Sequence, residues 1–128
     1  MLHEFSRTEL LIGKEALKKL ADSKVAVFGI GGVGTYAVEG LARSGVGKFV
    51  LVDDDCICLT NINRQLHATR KTVGKPKVDV MKERILDINP KAEVITHQMF
   101  YIPESSDKLV FDDYDYIIDA IDTVSGKI

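Results

Sequence analysis

Between Gly29 and Lys77 the chain carries, in order, the side chains needed to handle a phosphorylated nucleoside. Gly29, Gly31 and Gly34 stand at the G-x-G-x-x-G spacing, and Gly32 fills a position between them. Such a loop turns tightly and presents the free N–H groups of a helix N-terminus to phosphate. Asp53 follows near the offset of roughly 20 residues at which a carboxylate meets the ribose hydroxyls. Then come Asn61, Arg64 and Gln65, and Lys75 and Lys77 on either side of Pro76. Amides can fix orientation, while Arg64 and Lys77 can neutralise charge on phosphate oxygens during attack at phosphorus. A hydride-transferring enzyme has no reason to follow its ribose carboxylate with that run; a triphosphate does.

Each residue alone also has a plainer reading. Tight glycine turns occur where a strand and a helix merely pack closely. Lys75 reads as solvated, Arg70 and Lys71 as surface charge, and His67 as a packing residue. Cys56 and Cys58, one residue apart, are read as reduced and mainly structural. A disulfide at that spacing is strained, and two sulfurs cannot complete a tetrahedral zinc site. What the glycine loop and Asp53 establish together is a nucleoside, and the Asn61 to Lys77 segment argues for ATP over NAD.

The loop works only between a strand and a helix, and both are predicted. Lys24 to Phe28 is a short β-branched strand, and Tyr36 to Ala42 suits a helix packed on a sheet. An opening helix is expected over Glu9 to Ala21, a second strand over Phe49 to Val52, and a polar loop from Asp53 to about Gly74. Lys77 to Ile88 reads as a helix with Val78, Met81, Ile85 and Ile88 on one face, ended by Asn89-Pro90. Strands at Glu93 to Thr96 and Tyr116 to Asp119 follow, with a weak helical turn near Ser105 to Val110. This alternation predicts an α/β, Rossmann-like, doubly wound and mostly parallel sheet with helices on both faces. Such folds continue past the last strand read here, so the chain is expected to be the N-terminal part of a longer protein.

The 128 residues, 45% hydrophobic and 28% charged, fit one ordinary soluble domain with one core. A net charge of −2 gives no global pull toward nucleic acid, so a polyanion would need a local patch. Apolar runs are strand-sized and the N-terminus is charged from the start, which argues against a signal peptide or membrane span and makes the cytoplasm the default compartment.

The segments GIGGVGTYAVEGLARSGVG, LVDDDCICLTNINRQLHA, GKPKV and DAIDTV together resemble the adenylation domain shared by ThiF, MoeB and the ubiquitin-activating enzymes. CLTNINRQLHA and DAIDTV are most similar to its tRNA threonylcarbamoyladenosine dehydratase branch. The resemblance implies that residues 1–128 are the N-terminal part of an ATP-binding adenylation domain. It matches Gly29, Gly31, Gly32 and Gly34 to the phosphate loop, Asp53 to the ribose ligand, and Asp55 to the same acidic strand end. Asn61, Arg64, Gln65 and Lys77 match polar residues around the triphosphate, and Asp122 the aspartate associated with magnesium. Thr123 departs from the asparagine that often follows that aspartate. Arg7 matches an arginine that, in relatives such as MoeB, reaches the nucleotide of the partner subunit, which implies a homodimer. The implied reaction is ATP-dependent adenylation of a carboxylate, that of threonylcarbamoyladenosine in tRNA, followed by cyclising dehydration. Adenylation of a small sulfur-carrier protein and NAD-dependent oxidation remain the alternatives.

Overall fold

The computed structural model describes residues 3–99 and 114–121. Its elements run α1 (Ser6–Asp22), β1 (Lys24–Phe28), α2 (Gly32–Ser44), β2 (Lys48–Val52), a 3-10 turn at Leu59–Asn61, α3 (Lys77–Ile88), β3 (Glu93–His97) and β4 (Tyr116–Asp119). The helical turn expected near Ser105 to Val110 lies outside the described residues, as does Asp122. Within them, no helix is long and apolar enough to cross a membrane.

All four strands pair in parallel in the order β3-β2-β1-β4. The chain therefore builds outward from β1 to β3 and then returns to the other side of β1. That reversal creates a crevice at the carboxyl ends of β1 and β4, where open α/β sheets bind ligands. Alternation along the strands divides the core. Val25, Val27, Phe49 and Leu51 join Val38 and Ala42 of α2 and Val78, Met81 and Ile85 of α3 on one face. Ala26, Phe28, Val50 and Val52 face the other way, with Met99, Tyr114 and Ile121 against them. Each such buried aliphatic side chain contributes roughly 1.5–3 kcal/mol, which makes strand register costly to slip. Glu39 of α2 receives Arg84 of α3 at 2.6 Å and Arg43 at 2.7 Å, tying the two helices at their outer edge.

Helix α3 and β4 have the expected bounds. Helix α2 starts at Gly32, four residues before the expected Tyr36, because the glycine loop itself forms the first helical turn. It stops where Gly45 takes the left-handed conformation and bonds back to Ala42. Helix α1 is kinked at Gly13 and buries none of its residues in this chain.

Candidate functional site

The glycine loop is built by close approach. Gly29 leaves β1 at φ +93°, and its N–H donates to the Val52 carbonyl at 2.9 Å. A Cβ on Gly29 would lie 2.6 Å from the Ala120 carbonyl beyond β4, and one on Gly34 would overlap the Gly29 carbonyl. Gly31 caps α2, its carbonyl accepting both the N–H and the hydroxyl of Thr35. Thr35, fully buried, also accepts the Leu66 N–H at 3.3 Å, so the loop is stitched to the segment that carries Arg64 and Gln65.

Asp53 sits at the end of β2, opposite the loop. Its Oδ2 accepts the Ile30 N–H at 2.7 Å and its Oδ1 accepts the Asp55 N–H at 2.8 Å. The carboxylate thus holds the loop from one side while each oxygen keeps a lone pair for a hydroxyl. Asp53, Asp54 and Asp55 can bring one oxygen each within 4.8 Å of one another. Burial, together with the charges of Asp54 and Asp53, raises the Asp55 carboxyl above its usual range, against the pull of Lys77.

The stretch from Asn61 to Lys77 closes the other side. Asn61 is buried and accepts the Cys58 N–H through Oδ1 at 2.8 Å, capping the 3-10 turn. Arg64 is exposed, with Nη1 donating to the Thr60 carbonyl and to Asn63 Oδ1, each at 3.0 Å. Gln65 is buried beneath the loop, its Nε2 3.6 Å from where a Gly31 Cβ would stand, and its Oε1 has no hydrogen-bond partner among the described residues. The segment is anchored below by Ile57 and Ala68 against Val80 of α3.

Lys77 opens α3 with its side chain only 7% exposed, and its Nζ lies 3.9 Å from Asp55 Oδ2. A buried ammonium at the positive end of a helix, held by one distant carboxylate, is an electrostatic invitation to an anion. Glycine-loop N–H groups and Lys77, with the long Arg64 side chain on the same segment, form an arrangement that can take a polyphosphate.

The structure brings together Gly29, Gly31, Gly32, Gly34, Asp53, Asn61, Gln65 and Lys77. Arg64 is on the same segment but turned onto its own backbone. Arg7 is exposed on the first turn of α1, and its side chain makes no hydrogen bond or ion pair among the described residues. Cys56 and Cys58 are free and exposed thiols. One residue was not singled out from the sequence, and one was given only a packing role. Thr35 carries a faint signal, a hydroxyl on the inner face of a helix. His67, read above as packing, donates Nε2–H to the Ile30 carbonyl at 2.8 Å.

The ThiF family pattern matches residues 5–128. The chain is 59% identical to the tRNA threonylcarbamoyladenosine dehydratase of Bacillus subtilis over 128 residues, covering all of this chain and 50% of that protein. It is 35% identical to the sulfur carrier protein ThiS adenylyltransferase of Escherichia coli, covering 96% of this chain and 49% of that protein. The crystal structure of the E. coli tRNA N6-threonylcarbamoyladenosine dehydratase, TcdA, in complex with ATP superposes with a TM-score of 0.93 at 46% identity, over 97% of this chain and 51% of that one. The chain thus spans about half the length of these relatives. The match runs through the glycine loop, Asp53 and the Asn61 to Lys77 segment alike, and by it the chain belongs to the ThiF family.

Proposed function

We propose that this chain is the nucleotide-binding part of an ATP-dependent adenylating enzyme acting on threonylcarbamoyladenosine in tRNA. The observation that carries the reading is the buried Lys77 ammonium, 3.9 Å from its carboxylate, on the segment stitched to a glycine loop that Asp53 latches. The 59% identity to a dehydratase, against 35% to a ThiS adenylyltransferase, favours tRNA over a sulfur-carrier protein as substrate.

In the reaction a carboxylate oxygen attacks the α-phosphate of ATP and pyrophosphate leaves, giving an acyl-adenylate. An attacker within the threonylcarbamoyl group then closes the ring and expels AMP, so the net change is loss of water. Intramolecular attack needs no enzyme thiol, because proximity supplies a high effective concentration. Asp53 binds the ribose, and Asn61 and Gln65 orient the nucleotide. Arg64 and Lys77 stabilise the charge that develops as pyrophosphate departs. Beside Asp53, the Asp54 and Asp55 carboxylates have the oxygen donors that suit a hard cation, and by family resemblance Asp122 would hold magnesium. Held by Asp122, magnesium would add charge neutralisation on the phosphate oxygens. Arg7 reaches the partner's nucleotide in a homodimer, and the 87% and 88% exposed Leu10 and Leu11 beside it offer an apolar face for that contact. The enzyme works in the cytoplasm.

The test uses the full-length protein. ATP with magnesium raises the thermal midpoint, by the equivalent of about 2.7 kcal/mol at a hundred times Kd, and NAD at equal concentration does not. AMP is then released with tRNA bearing threonylcarbamoyladenosine and not with tRNA lacking it. A larger shift with NAD overturns the nucleotide assignment. AMP release only with a sulfur-carrier protein overturns the substrate.

A further inference from the structure

We propose that His67 is a positioning residue for the nucleotide: its Nε2–H holds the Ile30 carbonyl and so sets the orientation of the peptide groups in the glycine loop. The inference rests on the adenylation reading, since it needs the loop to receive phosphate.

Ile30 is gripped at both ends of its backbone. Its N–H goes to Asp53 Oδ2 at 2.7 Å and its C=O receives His67 Nε2 at 2.8 Å. Rotating either peptide plane of Ile30 breaks one of these bonds, and the same planes aim the neighbouring N–H of Gly31. Asp53 comes from the end of β2 and His67 from the segment after Gln65, so the loop is fixed jointly by the two stretches that flank the nucleotide.

The imidazole is buried, at 2% exposure, and its Nδ1 has no partner among the described residues. A phenyl ring would fill the same space without stranding a buried acceptor, so packing alone does not account for histidine here. What a phenyl ring lacks is the donor to Ile30. A carbonyl accepts only from a protonated nitrogen, which fixes the proton on Nε2 in the neutral ring. Desolvation, aided by the Lys77 charge, lowers the His67 pKa against the Ile30 bond and Asp53, and keeps the ring neutral.

Two variants of the full-length protein separate donor from bulk. His67→Phe keeps a ring and loses the donor. His67→Gln keeps an amide N–H at nearly the reach of Nε2. ATP affinity is read by titration calorimetry, AMP release by steady-state kinetics, and folding by thermal unfolding. We expect His67→Phe to weaken ATP binding about tenfold, equivalent to about 1.4 kcal/mol. His67→Gln should restore it to within about threefold, and kcat at saturating ATP should change little in either, the pattern of lost ground-state binding. Should His67→Phe not fold, His67→Asn against His67→Gln carries the test, since only the longer amide reaches Ile30. ATP binding by His67→Phe, or by His67→Asn, as tight as that of the unaltered protein overturns the proposal. So does equal weakening in His67→Gln. Absence of ATP binding by the unaltered protein sinks the adenylation reading instead, before any variant is compared.

Discussion

Gly34→Ala gives the sharpest test of how the phosphate loop is made. A Cβ there would overlap the Gly29 carbonyl oxygen, where real Cβ atoms essentially never come within 3.0 Å, so the two must part. Both sides of the contact are backbone, and Gly29 is itself held by the Val52 carbonyl and crowded by Ala120. The first turn of α2 has to lift away from β1. Overpacking of this kind costs typically 1–3 kcal/mol, and straining the bonds that Thr35 makes to Gly31 and Leu66 adds about 1 kcal/mol more. Thermal unfolding should then fall by about 5–15 °C, and ATP affinity should fall with it as the helix N-terminus moves off the phosphates. Gly40→Ala is the control in the same helix, at an exposed position where, among the described residues, nothing beyond its chain neighbours and the helix's own backbone comes within 4 Å of the new Cβ. It should stabilise by roughly 0.5–1 kcal/mol through helix propensity and a less flexible unfolded chain. If Gly34→Ala matches the unaltered protein in both midpoint and ATP affinity, the close approach is not what shapes the loop.

Three further outcomes are expected. Arg64→Ala should slow AMP formation about a hundredfold while ATP binding changes far less, with Arg64→Lys recovering only part of the rate; an unchanged saturated rate would make the arginine a binding residue. Asp53→Ala should lower both ATP affinity and thermal stability, because the carboxylate also latches Ile30 and Asp55; a variant with full stability and weak binding would reduce its role to the ribose. Glu39 is held below its usual carboxylate range chiefly by its hydrogen bond from Arg84. Its contribution is therefore fully present above the unfolded value of 4.5 and lost as pH falls through the lower folded value. A pair this close to the surface is worth no more than about 1 kcal/mol, so the midpoint gap between the unaltered protein and Glu39→Gln should be small at neutral pH and close on acidification. A gap that widens in acid would reverse the assigned sign.

The elements that the sequence predicts well are those whose signals are local. Helix α3 has a 3.6-residue apolar stripe and a proline at its cap, and β4 is a short apolar run ended by Asp119. Helix α2 is misjudged at its start because glycines 32 and 34 are poor helix formers in isolation. At Gly34 only a residue without a Cβ lets that turn press against Gly29, a tertiary requirement that outweighs propensity; a Cβ on Gly32 would meet only the Arg64 carbonyl at 3.9 Å. The site divides in the same way. Spacing brings out the glycine loop and Asp53, and side-chain chemistry brings out Lys77. Nothing local distinguishes Arg64 turned onto Thr60 from Arg64 turned toward a ligand.

His67 shows where such reading stops. Its bond to Ile30 spans 37 residues, so no periodicity or neighbouring residue type could announce it. Asp53 reaches the same residue across 23, and was legible only because a ribose carboxylate has a customary offset. One residue, Ile30, thus donates its N–H to Asp53 and accepts at its C=O from a buried histidine. Since both bonds form only when β2 and the segment after Gln65 are packed in place, the loop acquires its binding geometry as a consequence of folding. A change at His67 should therefore be felt as a change in affinity, through Ile30, even though the side chain is sealed from solvent.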